Sequence, residues 1–183
     1  EGAEKALKKT REAYDKLLSK EKEYFDVDSF ANPYSDTRIL FGEPTREVHK
    51  VMAGIDIEGD ELIVAKQLGN IDACIAHHPR GIALAKLYEV MHMQADVLNQ
   101  YGIPINVAEG LLHPRISEVT RGLSPNNHYR PVSIARLLGI PYMCTHTVTD
   151  NLAYQFLKRR IELAKVETVG QVIEMLLTIP EYF

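Results

Sequence analysis

The sequence predicts an α/β fold: a largely parallel sheet with helices on both faces. Three observations predict it. Short apolar runs alternate with stretches of helical periodicity from about His49 to Ala164. Those runs are continuous, the pattern of strands buried on both sides. Gly and Pro punctuate them where one element should hand over to the next.

Residues 3 to 22 carry Ala6, Leu7, Ala13, Tyr14, Leu17 and Leu18 at helical spacing among many Lys and Glu, so they read as an amphipathic helix. We take residues 1–25 as an N-terminal amphipathic helix and 26–183 as an α/β domain. From Asp26 to Pro44 turn formers dominate, with at most one short strand at Arg38 to Phe41. His49 to Ile55 reads as a strand, Gly59 to Leu68 as a helix and Ile71 to Ala76 as a second strand, which together make one βαβ unit. Ile82 to Tyr101 reads as one long helix stopped by Gly102, Ile103 to Ala108 as a third strand, and His113 to Leu123 as a helix. Pro131 opens a helix over Val132 to Leu138 that Gly139 ends; Ile140 to Thr145 is the fourth strand, and helices come next at Leu152 to Ala164 and Val169 to Thr178.

The 183 residues, 45% hydrophobic and 25% charged, suffice for a core without staples. A net charge of -4 gives no electrostatic reason to expect nucleic acid, and Lys158-Arg159-Arg160 reads as a solvated helix face. No apolar run reaches the length of a membrane span, and no signal peptide opens the chain. Cys74 and Cys144 sit in apolar runs and read as reduced core thiols, so a cytoplasmic location is expected. The chain starts at Glu1 instead of Met, as a processed protein or a piece of a longer one would, and it runs out in a helical tail at Ile179 to Phe183 with no polar taper, as a truncated C-terminus would. Dinucleotide, phosphate-loop and nucleophile-elbow fingerprints are absent from the sequence.

In open α/β sheets ligands collect beyond the carboxyl ends of the strands. There the chain places His77-His78-Pro79, His146 with Asp150 four residues on, Asp56, and Glu109 at the end of the expected third strand. Neighbouring side chains at a strand end diverge, so His77 and His78 suit two ions better than one. Asp150 is the carboxylate best placed to supply oxygen. Asp56 either caps the following helix or faces the rim. His92 reads as a satisfied helix-face residue, and His49, His113 and His128 are assigned no role.

These residues carry a resemblance. The run Val51-Met52-Ala53-Gly54-Ile55-Asp56, then Ile75-Ala76-His77-His78-Pro79, then Thr145-His146-Thr147-Val148-Thr149-Asp150 resembles the NIF-three-like family, named for NGG-one-interacting factor three. The resemblance spans roughly Asp36 to the end of the chain. It implies an α/β protomer in a toroidal homo-oligomer, metal ligation by His77, His78 and Asp150, and His146 as a group at the edge of the site. It also implies kinship with a second type of GTP cyclohydrolase. The family's late Gly-His motif, whose histidine helps complete a two-metal cage, has no counterpart here, since no histidine comes after His146. One or two divalent ions per chain (Zn, Fe, Mn, Co or Ni) are therefore expected. The functional expectation is a metal-dependent hydrolase acting on a small nucleotide-like or heterocyclic substrate, with His146 as the proton-transferring catalytic residue. The alternative is a non-catalytic metal-binding scaffold or regulatory protein.

Overall fold

A computed structural model describes residues 2–182, so Glu1 and Phe183, on which part of the terminal reading rests, lie outside it. The chain divides into two compact units, one through Thr147 and one from Val148 onward.

The first unit opens with α1 (Gly2–Asp15) and the single turn α2 (Ser19–Lys22), separated where one helix was expected over residues 3 to 22. The break has a local cause, because Leu18 donates its N–H to the Glu21 carboxylate (2.8 Å) and so starts a new turn. Tyr14 packs edge-on against Phe25 and Phe30, with ring centroids 4.7 and 5.0 Å away, which fastens α1 to the turn over Val27–Phe30.

The sheet has four strands in the order β1-β4-β3-β2: β1 (Arg38–Phe41), β2 (Val51–Gly54), β3 (Ala73–Ala76) and β4 (Tyr142–Cys144). β2, β3 and β4 are parallel, and only β1 runs against its neighbour. The largely parallel sheet is thus as expected, but its fourth member is β1 and not Ile103 to Ala108. That segment enters α7 (Ile105–Leu123) instead. Six residues of mixed apolar character cannot separate the two periods. What decides is Pro104, which sits at the helix entry, and the spacing of Ala108 and Ile116, both buried on one helix face.

α3 (Gly59–Leu68) crosses between β2 and β3. The long helix expected over Ile82 to Tyr101 is instead three: α4 (Gly81–Ala85), α5 (Leu87–Met91) and α6 (Met93–Gln100). Tertiary bonds hold the first break open. The Lys86 carbonyl accepts from Ser35 Oγ (2.9 Å) while its ammonium pairs with Asp26 (3.1 Å). α8 (Arg130–Leu138) leads into β4, and α9 (Thr147–Ala164) leaves it.

Strand alternation puts Met52, Cys74 and Tyr142 in one cross-strand row and Gly54, Ala76 and Cys144 in the next. Cys74, Ala76, Tyr142 and Cys144 are buried in a core with Leu62 and Ala65 of α3, Ala83 of α4, and Val132 and Ala135 of α8. Both thiols are pushed above their ordinary pKa by burial, as core cysteines should be. The Tyr142 hydroxyl, equally buried, donates to the Ile57 carbonyl (2.6 Å) and ties β4 to the entry of α3. On the opposite face of the sheet Ile39 and Val51 are each 45% exposed.

The Asp26 carboxylate is held by a two-pronged bond from Arg38 (2.7 and 3.0 Å) and by Lys86. Its pKa falls from an ordinary 3.8 to about 2, chiefly through the Arg38 hydrogen bond, with burial opposing. Because the folded value lies below the unfolded one, this pairing stabilises the fold above pH 3.8 and the contribution is lost as pH falls toward 2. It amounts to about 2 kcal/mol. In urea titrations at stepped pH, Asp26→Asn should flatten the loss of stability over that window, and an unchanged slope would show that Asp26 is not the group responsible.

The second unit contains the rest of α9 and α10 (Val169–Leu176). Thr168 and Gln171 cap α10 reciprocally, and Arg160 donates to Thr178 Oγ1 (3.0 Å). Among the described residues no helix is long and apolar enough to cross a membrane.

Candidate metal centre

β3 and β4 are neighbours and parallel, so the segments leaving their carboxyl ends emerge at the same rim. His77 and His78 come directly after β3, and their backbone N–H groups bond to the end of β2 and the residue after it, donating to the Gly54 and Ile55 carbonyls at 2.8 Å each. His146 lies just past β4; its N–H donates to Thr37 Oγ1 (3.0 Å). Main-chain bonds therefore fix all three histidines before their rings are considered.

The rings gather at that rim. The centroids of His77 and His146 are 4.9 Å apart in a near-stacked arrangement, and His78 lies 5.2 Å from His77 and 6.1 Å from His146. Each ring has its Nδ1 against an acceptor: the Thr145 carbonyl for His77 (3.2 Å), Asp56 for His78 (2.9 Å) and Asp36 for His146 (3.0 Å). A carbonyl or carboxylate oxygen only accepts, so each Nδ1 carries the proton, and in each neutral ring Nε2 keeps the lone pair. This is the arrangement in which a metal-binding imidazole is oriented by a partner behind it.

Asp36 is the most elaborate of these partners. It is fully buried, and its Oδ2 accepts from the His146 ring, the Thr147 N–H (3.2 Å) and the Thr147 hydroxyl (2.6 Å), while Thr37 reaches Oδ1 (3.3 Å). Burial alone would raise its pKa, but the bonds from His146 and Thr147 outweigh that and hold it below the ordinary carboxylate range. Clamping Thr147 also fixes the first residue of α9, whose opening turn carries Asp150. His77, His146 and Asp150 form a group that could hold a metal ion, each offering one ligand atom within 4.8 Å of the others. His78 stands outside that group.

Asp56 lies beyond the end of β2 and faces the rim. Its Oδ1 accepts from both His78 and Arg80 Nη2 (2.6 Å), and these bonds, His78 first, keep its carboxyl below the usual range. Glu109, expected at the rim, lies exposed on α7, because the strand it was to terminate does not exist. Sequence reasoning missed Asp36 and Arg80. The first lies in the turn-rich lead-in, where its burial has no signature in spacing, and the second carries no periodic signal at all.

No family model matches the sequence, and no curated protein matches it. Among solved structures the chain is similar to a NIF3 superfamily protein from Sphaerobacter thermophilus, with 29% sequence identity and a TM-score of 0.68 over 80% of this chain. In fold and in sequence the chain is similar to the NIF3 superfamily. It spans 55% of the length of that relative. The NIF3-like fold accounts for the rim: two adjacent parallel strands deliver the paired histidines and His146, and the antiparallel edge strand β1 is preceded by the turn that carries Asp36.

Proposed function

We propose that this NIF3-like chain carries the divalent-metal centre of a hydrolase acting on a nucleotide-like or heterocyclic small molecule. In this reading His77, His146 and Asp150 hold one ion, and His78, diverging from His77, serves a second. His146 thereby moves from the proton-carrying role that the sequence suggests to that of a ligand. The observation that supports the reading is the common orientation of the three imidazoles, each with Nδ1 tied to an acceptor and Nε2 left as the lone-pair nitrogen. Imidazole with carboxylate suits Zn, Fe, Mn, Co or Ni. A bound ion would supply Lewis acidity toward a water molecule or a substrate oxygen. The chain's own residues do the rest: Asp36 and Asp56 hold two of the rings in one tautomer, and Asp150 brings negative charge to offset the ion.

The test is elemental analysis of purified protein, followed by turnover of a panel of nucleotides and phosphoesters with each metal restored. Stoichiometric metal and a turnover abolished by Asp150→Ala are the expected results. Turnover that survives Asp150→Ala would defeat the enzyme reading as placed, and tight metal without turnover on any panel member would favour the scaffold alternative. Protein that binds no divalent ion would end both.

A further inference from the structure

A second site of a different kind lies on the other side of Arg80. A cleft of about 720 Å³ opens between the starts of α3 and α8, within the range of small-molecule pockets. Its floor is apolar, with Ile63 and Ile134 among the residues lining it. Its near wall is Arg80 with Glu58, and Arg80 is fully committed: to Glu58, to Asp56 and to the Pro79 carbonyl. The far wall is the segment Asn126 to Arg130, where the chain turns into α8.

That far wall is rich in polar groups that the protein leaves unused. Asn126, Asn127 and Arg130 line the cleft, and none of their side chains has a hydrogen-bond or ion-pair partner among the described residues. His128 Nε2 is buried without a partner. The start of α8 has no side-chain cap either. Across the cleft Asp60, in the first turn of α3, is likewise without an ion-pair partner among the described residues. Arg80 is shared between Glu58 and Asp56, so the charged groups lining the cleft that keep no ion-pair partner among the described residues are one cation, Arg130, and one carboxylate, Asp60.

The walls are also locked together. The Gly81 N–H donates to the His128 carbonyl (2.8 Å), and Gly81 has φ +56 with so little room that an added Cβ would stand 2.8 Å from Val132 Cγ2. The cleft is therefore shaped by backbone packing before any ligand arrives.

We infer that this cleft is a binding site for a small phosphorylated polyol such as a sugar phosphate, with the phosphate on Arg130, Asn126 and Asn127 and the hydroxyl groups donating toward Asp60. A bare inorganic anion would satisfy only the Arg130 wall and would meet repulsion from Asp60. A neutral sugar would forgo the charge-assisted bonds. A ligand bearing both functions matches both walls. The inference goes beyond the metal-centre reading and does not need it.

The experiment is an amide NMR titration of the full chain in the presence of a metal chelator, with ribose 5-phosphate, ribose and inorganic phosphate as separate probes. Ribose 5-phosphate should shift the amides of Asn126 to Arg130 saturably, and the other two should bind about tenfold more weakly or worse, the scale of one charge-assisted hydrogen bond. Arg130→Ala, a change at an exposed side chain, should weaken ribose 5-phosphate by at least about tenfold for the same reason. Asp60→Ala should weaken ribose 5-phosphate while leaving inorganic phosphate no weaker. The proposal is overturned by the absence of saturable shifts in this segment, by equal binding of phosphate and ribose 5-phosphate, or by an Arg130→Ala variant that binds as well as the parent. Because chelator is present throughout, failure here says nothing about the histidine rim, and failure of metal binding there leaves this result intact.

Discussion

Replacing His77 with alanine is expected to lower divalent-metal affinity by more than about 100-fold, beyond the range seen when only an orienting partner is lost. His77 is central to the rim: its ring lies closest to that of His146 and also neighbours His78. Removing it takes a nitrogen from the three-residue group and leaves His146 and Asp150, a weaker hold on an ion against competing water. The fold should tolerate the change. The lost bond to the Thr145 carbonyl is worth about 1 kcal/mol, and the backbone bond from the His77 N–H to Gly54 is untouched. Isothermal titration with zinc on the parent, His77→Ala and His78→Ala separates the roles. His78→Ala should reduce stoichiometry while preserving the tighter event. If His78→Ala proves the more damaging and His77→Ala nearly silent, the assignment of the first ion is wrong.

Asp36→Ala is expected to destabilise the protein by about 3 kcal/mol, since it leaves the His146 ring, the Thr147 N–H and the Thr147 hydroxyl without their buried acceptor. For a chain of this size that corresponds to a melting-temperature drop of roughly 10 °C. Asp36→Asn is the more informative variant. Its carbonyl oxygen can take the place of Oδ2, and its amide can donate to Thr37 Oγ1, so packing and most of the bonds survive while the charge is lost. That variant should stay folded and bind metal about tenfold more weakly, because His146 loses the carboxylate that makes its Nε2 a better donor. Nitrogen-15 shifts of the His146 ring report the tautomer directly. An Asp36→Asn protein with unchanged metal affinity and unchanged ring shifts would reduce Asp36 to a structural residue.

Much of this was legible in the sequence, and the parts that were not share a cause. The runs at Ile71 to Ala76 and Ile140 to Thr145 are largely apolar and bounded by turns, so they announce buried parallel strands, and the histidines after them fall on one rim by topology alone. Ile103 to Ala108 is a run of mixed apolar character that resembles them, but a helix buries one face of it against α6, a fact of tertiary packing that six residues do not encode. The breaks at Lys86 and His92 escape helical periodicity for the same reason, since the first is held by Ser35 and Asp26, distant in sequence. At the rim, residue types with metal affinity stand out, while the groups that aim them do not. A carbonyl at Thr145 is invisible to any motif, and Asp36 looks like one more polar residue in a turn.

The anchoring of the three imidazoles through Nδ1 has a thermodynamic corollary. Acceptors native to the scaffold already restrain these rings, so an arriving ion has little rotational freedom to quench and no polypeptide to organise. If the rim holds an ion as proposed, folding and loading are separable events, unlike a zinc finger, whose apo chain is unstructured. Stripping with a chelator should leave a cooperative melting transition in place and the circular-dichroism spectrum unaltered.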